Sequence, residues 1–419
     1  MIDTPIEWTN GNLNDLCDLK KDSCNPSACK SGVYVGLEHI DSGRFFMRTY
    51  GKPEQVVSAK NRFTVNDILY GKLRPYLDKA VVAVTEGICS TDIIVFTPKD
   101  KTPSFFIVSL LHSDRFIQYA IQTTHGVNHP RTSWAALKDF PTLIPPLPEQ
   151  QKIAAVLFKI QKAIEVQELI IERTQELKKA TMHQVFTYGL SGEKTKETEI
   201  GRIPESWDIV PMARAYDFTK KPKHINYSNF DSVAFIPMDL IPNDNPHLGK
   251  FINKKSSEIS SGTYFEAGDI LISKITPCFE NGKQCIIEKI PNGFGIATTE
   301  VIPVKEKSNF CNNYFLFYYL LKDDVRSMIA GKMEGATGRQ RVPNHLLKDF
   351  LIPLPALNEQ KEIANIFLTI DQKIELHTAK KSALQDLFKT MLNKLITGEI
   401  RVKDLDVDLS EINNQENQR

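Results

Sequence analysis

The chain has 419 residues, 41% of them hydrophobic, with 52 Lys plus Arg against 51 Asp plus Glu and a net charge of +1. That length exceeds what one ordinary core fills and predicts two or three domains, while the balanced composition excludes disordered and fibrous classes and a strongly basic polyanion binder. The longest apolar stretches, 105–111 and 314–321, fall short of the roughly 18 residues of a membrane span, and the first residues carry no basic region followed by an apolar one. No membrane association and a cytoplasmic address are expected. The seven cysteines are expected as reduced thiols. Cys17, Cys24 and Cys29 cluster, but their spacing matches no paired zinc-ligand pattern, so no metal site is expected.

In chain order, one unit is written twice, and such a period decides the architecture. Pro5 to Trp8 corresponds to Pro204 to Trp207. Asn66-Asp67-Ile68-Leu69-Tyr70-Gly71-Lys72-Leu73-Arg74-Pro75 corresponds to Gly268-Asp269-Ile270-Leu271-Ile272-Ser273-Lys274-Ile275-Thr276-Pro277. Ser90-Thr91-Asp92 then matches Thr298-Thr299-Glu300, and Leu137-Lys138-Asp139-Phe140 matches Leu347-Lys348-Asp349-Phe350. A proline hinge ending in Glu-Gln follows in each half, Glu149-Gln150 and Glu359-Gln360. Short β-branched runs such as 79–84 and 93–96 alternate with Gly and Pro, so each unit is expected to hold a mixed α/β globule, of the α+β class, with an aromatic helix near 103–115 and 313–326 packed into its core.

Two long helices are expected after the hinges. In the second, Ile363, Phe367, Ile370, Ile374, His377, Lys381, Leu384, Phe388, Met391 and Leu395 alternate steps of four and three, the seam of a coiled coil. In the first, Ile153, Leu157, Ile160, Ile164, Gln167, Ile171, Thr174, Lys178, Thr181 and Val185 repeat that register 210 positions earlier. Each opens after prolines and ends near a glycine, Gly189 or Gly398. A helix of this length spans about 60 Å. Two such stripes predict an antiparallel pair separating two equivalent globules, although periodicity alone favours a simple helical hairpin or a dimerisation arm. The expected domains are 1–146, a spacer helix 147–190, 191–356, a second spacer helix 357–398, and an acidic flexible tail 399–419 with six acidic residues against three basic ones.

Standard enzyme motifs are absent: no Gly-x-Gly-x-x-Gly, phosphate-binding loop, His-Glu-x-x-His or Gly-x-Ser-x-Gly occurs. Glu359 and Lys361 open a helix, where an acidic first turn is ordinary dipole chemistry. His125 and His129 lie between Gly126 and Pro130, a loop context rather than a helical metal face. What remains is a set of loop residues suited to nucleic acid. In the first half these are Lys72, Arg74, Tyr76, Ser90, Thr91, Asn128 and Arg131; in the second, Lys274, Thr276, Thr298, Thr299, Thr337, Arg339, Gln340 and Arg341. Arg and Lys meet phosphates and guanine edges, Asn and Gln meet adenine edges, and hydroxyls hold phosphates. Any surface loop contains such residues, yet these recur at matching points of both repeats. Neither globule is basic overall, with 16 basic against 15 acidic residues over 1–146 and 19 against 17 over 200–356, so binding would rest on local clustering and on a partner.

With these landmarks in order and duplicated, the sequence resembles the specificity subunits of Type I restriction-modification systems over nearly its whole length. The resemblance implies a non-catalytic chain whose two target-recognition domains each read one half of a bipartite site in double-stranded DNA. It implies helices that set the spacer and dock two modification subunits, which carry S-adenosylmethionine and methylate adenine, and restriction subunits that use ATP and Mg. The chain itself is then expected to hold no cofactor. It departs from the family pattern at Asn66, in place of Gly, and at 125–130, where the second half has the more family-like Gly335-Ala336-Thr337-Gly338. Two other classes stay open from the residues alone: the recognition part of a fused nuclease-methyltransferase, and a coiled-coil scaffold bridging two protein partners.

Overall fold

The computed structural model describes residues 7–28, 32–259, 261–307 and 310–412; Pro5, Cys29 and the last seven residues lie outside them. The chain forms two compact units, Met1–Leu169 with His377–Arg419, and Ile170–Leu376. Both boundaries fall inside the long helices, not at the hinges expected to part globule from spacer. Each globule therefore forms one unit with the first part of the helix that follows it and the last part of the other helix.

In the first unit one four-stranded antiparallel sheet has the order Cys17–Leu19, Ile93–Pro98, Ile68–Gly71, Ala80–Val82. The Asp-Ile-Leu run thus forms an inner strand, and its alternation divides two cores. Ile68 and Tyr70 join Phe96 and the aromatic helix Ser104–Leu111 on one face, while Leu69 joins Val95, Val35 and Phe63 on the other. That second face meets a sheet ordered Ser23–Cys24, Lys60–Phe63, Gly87–Cys89, Val33–Val35, whose last pair is parallel. The second unit repeats the plan with Tyr216–Phe218, Val301–Glu306, Ile270–Ser273, Gln284–Ile286 in one sheet. Its other sheet, Ile252–Lys255, Ser232–Ile236, Phe294–Ala297, Thr263–Glu266, carries its additional strand on the opposite edge. The mixed α+β class and the duplication are as expected.

The residue before each motif aspartate lies in the left-handed region, Asn66 at φ 70° and Gly268 at φ 92°. Asn is the side chain that tolerates this conformation best after Gly, so the replacement preserves the turn. The aspartates cap these turns. Asp67 accepts from Thr64 N, Thr97 Oγ1 and Lys20 Nζ, each at 2.7 Å, whereas fully buried Asp269 accepts from Glu266 N at 2.8 Å and Thr219 Oγ1 at 2.9 Å. Burial pushes the Asp269 carboxyl from its ordinary 3.8 up to about 6. The native state therefore takes up this proton before the unfolded chain does, and the group's contribution to stability falls as pH rises from about 4 through 6. Asp269→Asn is expected to gain, relative to the parent, on the order of 2 kcal/mol between pH 4.5 and pH 7, read from urea midpoints at the two values.

The long helices are Leu147–Tyr188 and Leu357–Ile396. Gly189 and Gly398 follow their ends at φ 69° and 73°, with Gly189 N bonded to Val185 O, the left-handed stop that only glycine makes without strain. Every predicted seam position is buried or half-buried, which fits a coiled coil, and in each unit the two helix segments run antiparallel. In the first unit Ile153, Leu157 and Phe158 meet Leu392, Leu395 and Ile396. Glu168, farther along the first helix, is bonded to Lys381, Arg44 and Arg48, and the seam also carries a polar pair there, buried Gln167 and His377 Nδ1, 2.8 Å apart. In the second unit Phe186 stacks on Phe367 and Lys178 pairs with Asp371 at 2.5 Å.

Each globule is tied to the helix that follows it by the same device. Trp8 Nε1 donates to Glu149 at 2.9 Å and Trp207 Nε1 to Glu359 at 3.1 Å. The adjacent glutamines donate back to the hinge, Gln150 to Pro145 O at 2.9 Å and Gln360 to Pro355 O at 2.8 Å. The segment after Gly398, expected as a flexible tail, is instead packed over 400–412. Val402 and Ile412 are buried in the first core, and Arg401 bonds Glu149 through two nitrogens at 2.8 and 2.7 Å and reaches Glu7 at 3.1 Å. Its six acidic residues obscured a short apolar register that this ion pair docks.

Candidate nucleic-acid interface

In each unit three separate loop segments meet at one place. In the first, Lys72 N donates to Asp92 O at 3.0 Å, Arg74 N to Pro130 O at 2.8 Å, and Thr132 N to Lys72 O at 3.1 Å, so 72–76, 90–92 and 125–132 form one surface. In the second, Lys274 N donates to Glu300 O at 2.9 Å, Thr276 N to Gln340 O at 3.0 Å, and Val342 N to Lys274 O at 2.7 Å, joining 274–276, 298–300 and 334–342 in the same pattern. The third segment is a closed loop in both: His125 pairs with Arg131, and Glu334 with Arg341, across antiparallel bridges.

The expected residues divide by what their side chains do. Arg74, Tyr76, Thr91 and Asn128 are exposed in the first unit, as are Thr299, Thr337 and Arg339 in the second; Lys72, Lys274, Thr276 and Gln340 are half-buried at the base. Arg74 takes a left-handed backbone at φ 54° and starts the turn Pro75–Leu77 that displays Tyr76. Ser90 Oγ and Thr298 Oγ1 are engaged, accepting from Asp92 N at 3.2 Å and Glu300 N at 3.3 Å. Thr276 Oγ1 donates to Glu280 at 2.7 Å. Arg131 and Arg341 are exposed, but their guanidiniums are paired with Asp92 and Glu300. The hydrogen bond from Arg131 holds the Asp92 carboxyl below its ordinary range, and that from Arg341 does the same for Glu300, so both pairs persist through neutral pH. Sequence reasoning treated the two acids as landmarks of the repeat and missed them as members of the site. It also passed over Val127, which stands almost fully exposed at the loop tip.

Cys17, Cys89 and Cys285 are buried, and burial pushes each thiol up to about 12, which leaves them unreactive. Among the described residues no group of three His, Cys, Asp or Glu is placed to hold a metal ion, and no helix is long and apolar enough to cross a membrane.

Two copies of one loop-bearing α+β domain, each continued into a seam helix, define a duplicated recognition module. A family model, the Type I restriction modification DNA specificity domain, matches residues 5–176 and again 205–386, and the chain belongs to that family as a type I restriction enzyme specificity subunit with two target-recognition domains. It is similar to the chain assigned as the MjaX specificity subunit of Methanocaldococcus jannaschii, at 27% identity over 95% of each. It is 31% identical over 209 residues to the EcoAI specificity subunit of Escherichia coli, covering 48% of this chain and 35% of that relative. In fold it is similar to the S subunit of a type I restriction-modification system from M. genitalium, with a TM-score of 0.62 at 15% identity over 94% of this chain and 98% of that one.

Proposed function

We propose that each domain reads one half of a bipartite site in double-stranded DNA through its three-segment surface. The observation that carries this is the assembly, at matching positions of both repeats, of the same backbone frame with different exposed side chains: Arg74, Tyr76 and Asn128 in one, Thr337 and Arg339 in the other. Phosphate contacts fall to Lys72, Arg74 and Lys274, and base edges to the loop tips.

The helices, on this reading, set the spacing of the half-sites and dock two modification subunits. Apolar side chains left exposed at matching helix positions support docking of two equivalent partners: Val166 and Leu387 in the first unit, Leu376 and Leu177 in the second. Those subunits would supply S-adenosylmethionine and adenine methylation, and restriction subunits the ATP- and Mg-dependent steps, in the cytoplasm; this chain contributes recognition and no catalytic group. The test is to co-express it with its neighbouring modification subunit in a methylation-free host and sequence the genome for modified adenines. A split motif with a fixed gap is expected, and random or absent methylation by an intact complex refutes the reading. Arg339→Ala is expected to weaken discrimination at one half-site by about 1–3 kcal/mol and leave the other unchanged, measured by competition between duplexes.

A further inference from the structure

In both units an arginine of the closed loop is gripped by a carboxylate of the neighbouring segment. Arg131 Nε and a terminal nitrogen donate to the two oxygens of Asp92 at 2.9 and 3.3 Å. Arg341 does the same to Glu300, at 2.9 Å for both bonds. The partners are open to solvent, 44% and 29% exposed in the first pair and 48% and 23% in the second. Exposed pairs of this kind contribute little to stability, but two parallel bonds fix the orientation of the planar guanidinium.

The placement of the pairs indicates what that orientation serves. The backbone of each arginine closes its loop, through bonds of 2.9 and 3.0 Å between His125 and Arg131 and of 2.9 and 2.8 Å between Glu334 and Arg341. The backbone of each acid holds the lysine segment, through Lys72 N to Asp92 O and Lys274 N to Glu300 O. Each pair therefore sits where the three segments meet. Between the closing residues the tips differ in length and composition, Gly126 to Pro130 in one and Gly335 to Gln340 in the other. One frame presenting two different tips is what two readers of different half-sites require.

We propose that Asp92 and Glu300 are positioning residues for DNA reading: each orients its loop arginine, and through it the tip, so that the arginine frames the surface while Asn128, or Thr337 with Arg339, meets the base edges. This rests on the reading of the two domains as DNA-recognition modules. It also assigns Arg131 and Arg341 a different task from the base contact their residue type suggests.

The experiment uses the full chain co-expressed with its modification subunit, with genome-wide adenine methylation and duplex competition as readouts. If the parent complex yields no split motif, the reading of the domains fails. Given a split motif, Glu300→Gln is expected to lower discrimination at one half-site by about tenfold, within the range of a lost base contact, and leave the other half-site at its parent value. Asp92→Asn is expected to do the reverse. Glu300→Asp, which installs the acid used by the other repeat, is expected to retain discrimination. Parent-like discrimination at both half-sites in Glu300→Gln and Asp92→Asn overturns the proposal, and so does an equal loss at both half-sites, which marks general damage to the fold.

Discussion

Lys178→Ala is expected to destabilise the unit of residues 170–376 by about 3–5 kcal/mol. Lys178 Nζ lies 2.5 Å from Asp371 Oδ1 with the two side chains 12% and 8% exposed, and above the Tyr318 ring at 5.3 Å. Tyr318 Oη donates to the other oxygen of Asp371 at 2.8 Å. Removing the ammonium leaves a buried carboxylate with a neutral donor in place of its counter-ion. The 210-residue match puts Phe388 at the corresponding position of the other helix, where it packs edge-on against Phe45 at 5.6 Å. One repeat thus fills this seam position with a lysine paired to the other helix, and the other with an aromatic ring packed on its globule. Lys178→Met combined with Asp371→Leu is accordingly expected to recover only part of the loss, because burying neither charge removes both the attraction and the desolvation cost while the Tyr318 hydroxyl is left without its acceptor. Urea unfolding of the two variants checks the sizes, and hydrogen exchange checks that lost protection falls in 170–376.

Trp207→Ala is expected to cost about 3–5 kcal/mol in the same unit, the usual range for emptying a large aromatic site. The ring is fully buried, stands edge-on to Phe186 at 6.5 Å and to Phe315 at 6.1 Å, and its Nε1 holds Glu359. Trp207→Phe, which keeps most of the volume and loses the donor, is expected to cost about 1–3 kcal/mol, since Glu359 then lacks its indole bond. Trp8→Phe is expected to cost less, because Glu149 keeps Arg401. Circular dichroism during urea titration separates the three.

The helices were legible because ten seam positions repeat one period twice, a signal that no local competition obscures. The Asp-Ile-Leu strands were legible as apolar runs, and Asn66 was suspect only until its positive φ explained it. The meaning of Trp8, Glu149, Trp207 and Glu359 was not, since each bond joins residues 141 or 152 positions apart and spacing along a chain does not report such pairs. The candidate surface was read as residue types in three loops, and folding did bring those loops together. Which side chains stay available was invisible, because it depends on Asp92 and Glu300 taking Arg131 and Arg341. The segment after Gly398 misled through composition: its charges read as solvated, while Arg401 in fact draws Val402 and Ile412 onto the core.

Gln167 and His377 occupy the same position of the two repeats, and they touch each other. Had the halves been separate copies of one shorter chain, that position would face its own copy, and whatever side chain stood there would have to be compatible with itself. A glutamine oxygen opposite an imidazole nitrogen is a pairing no such self-meeting contact allows. Within one chain that constraint is lifted: the two positions can change independently, and a glutamine and a histidine stand there as an unequal pair.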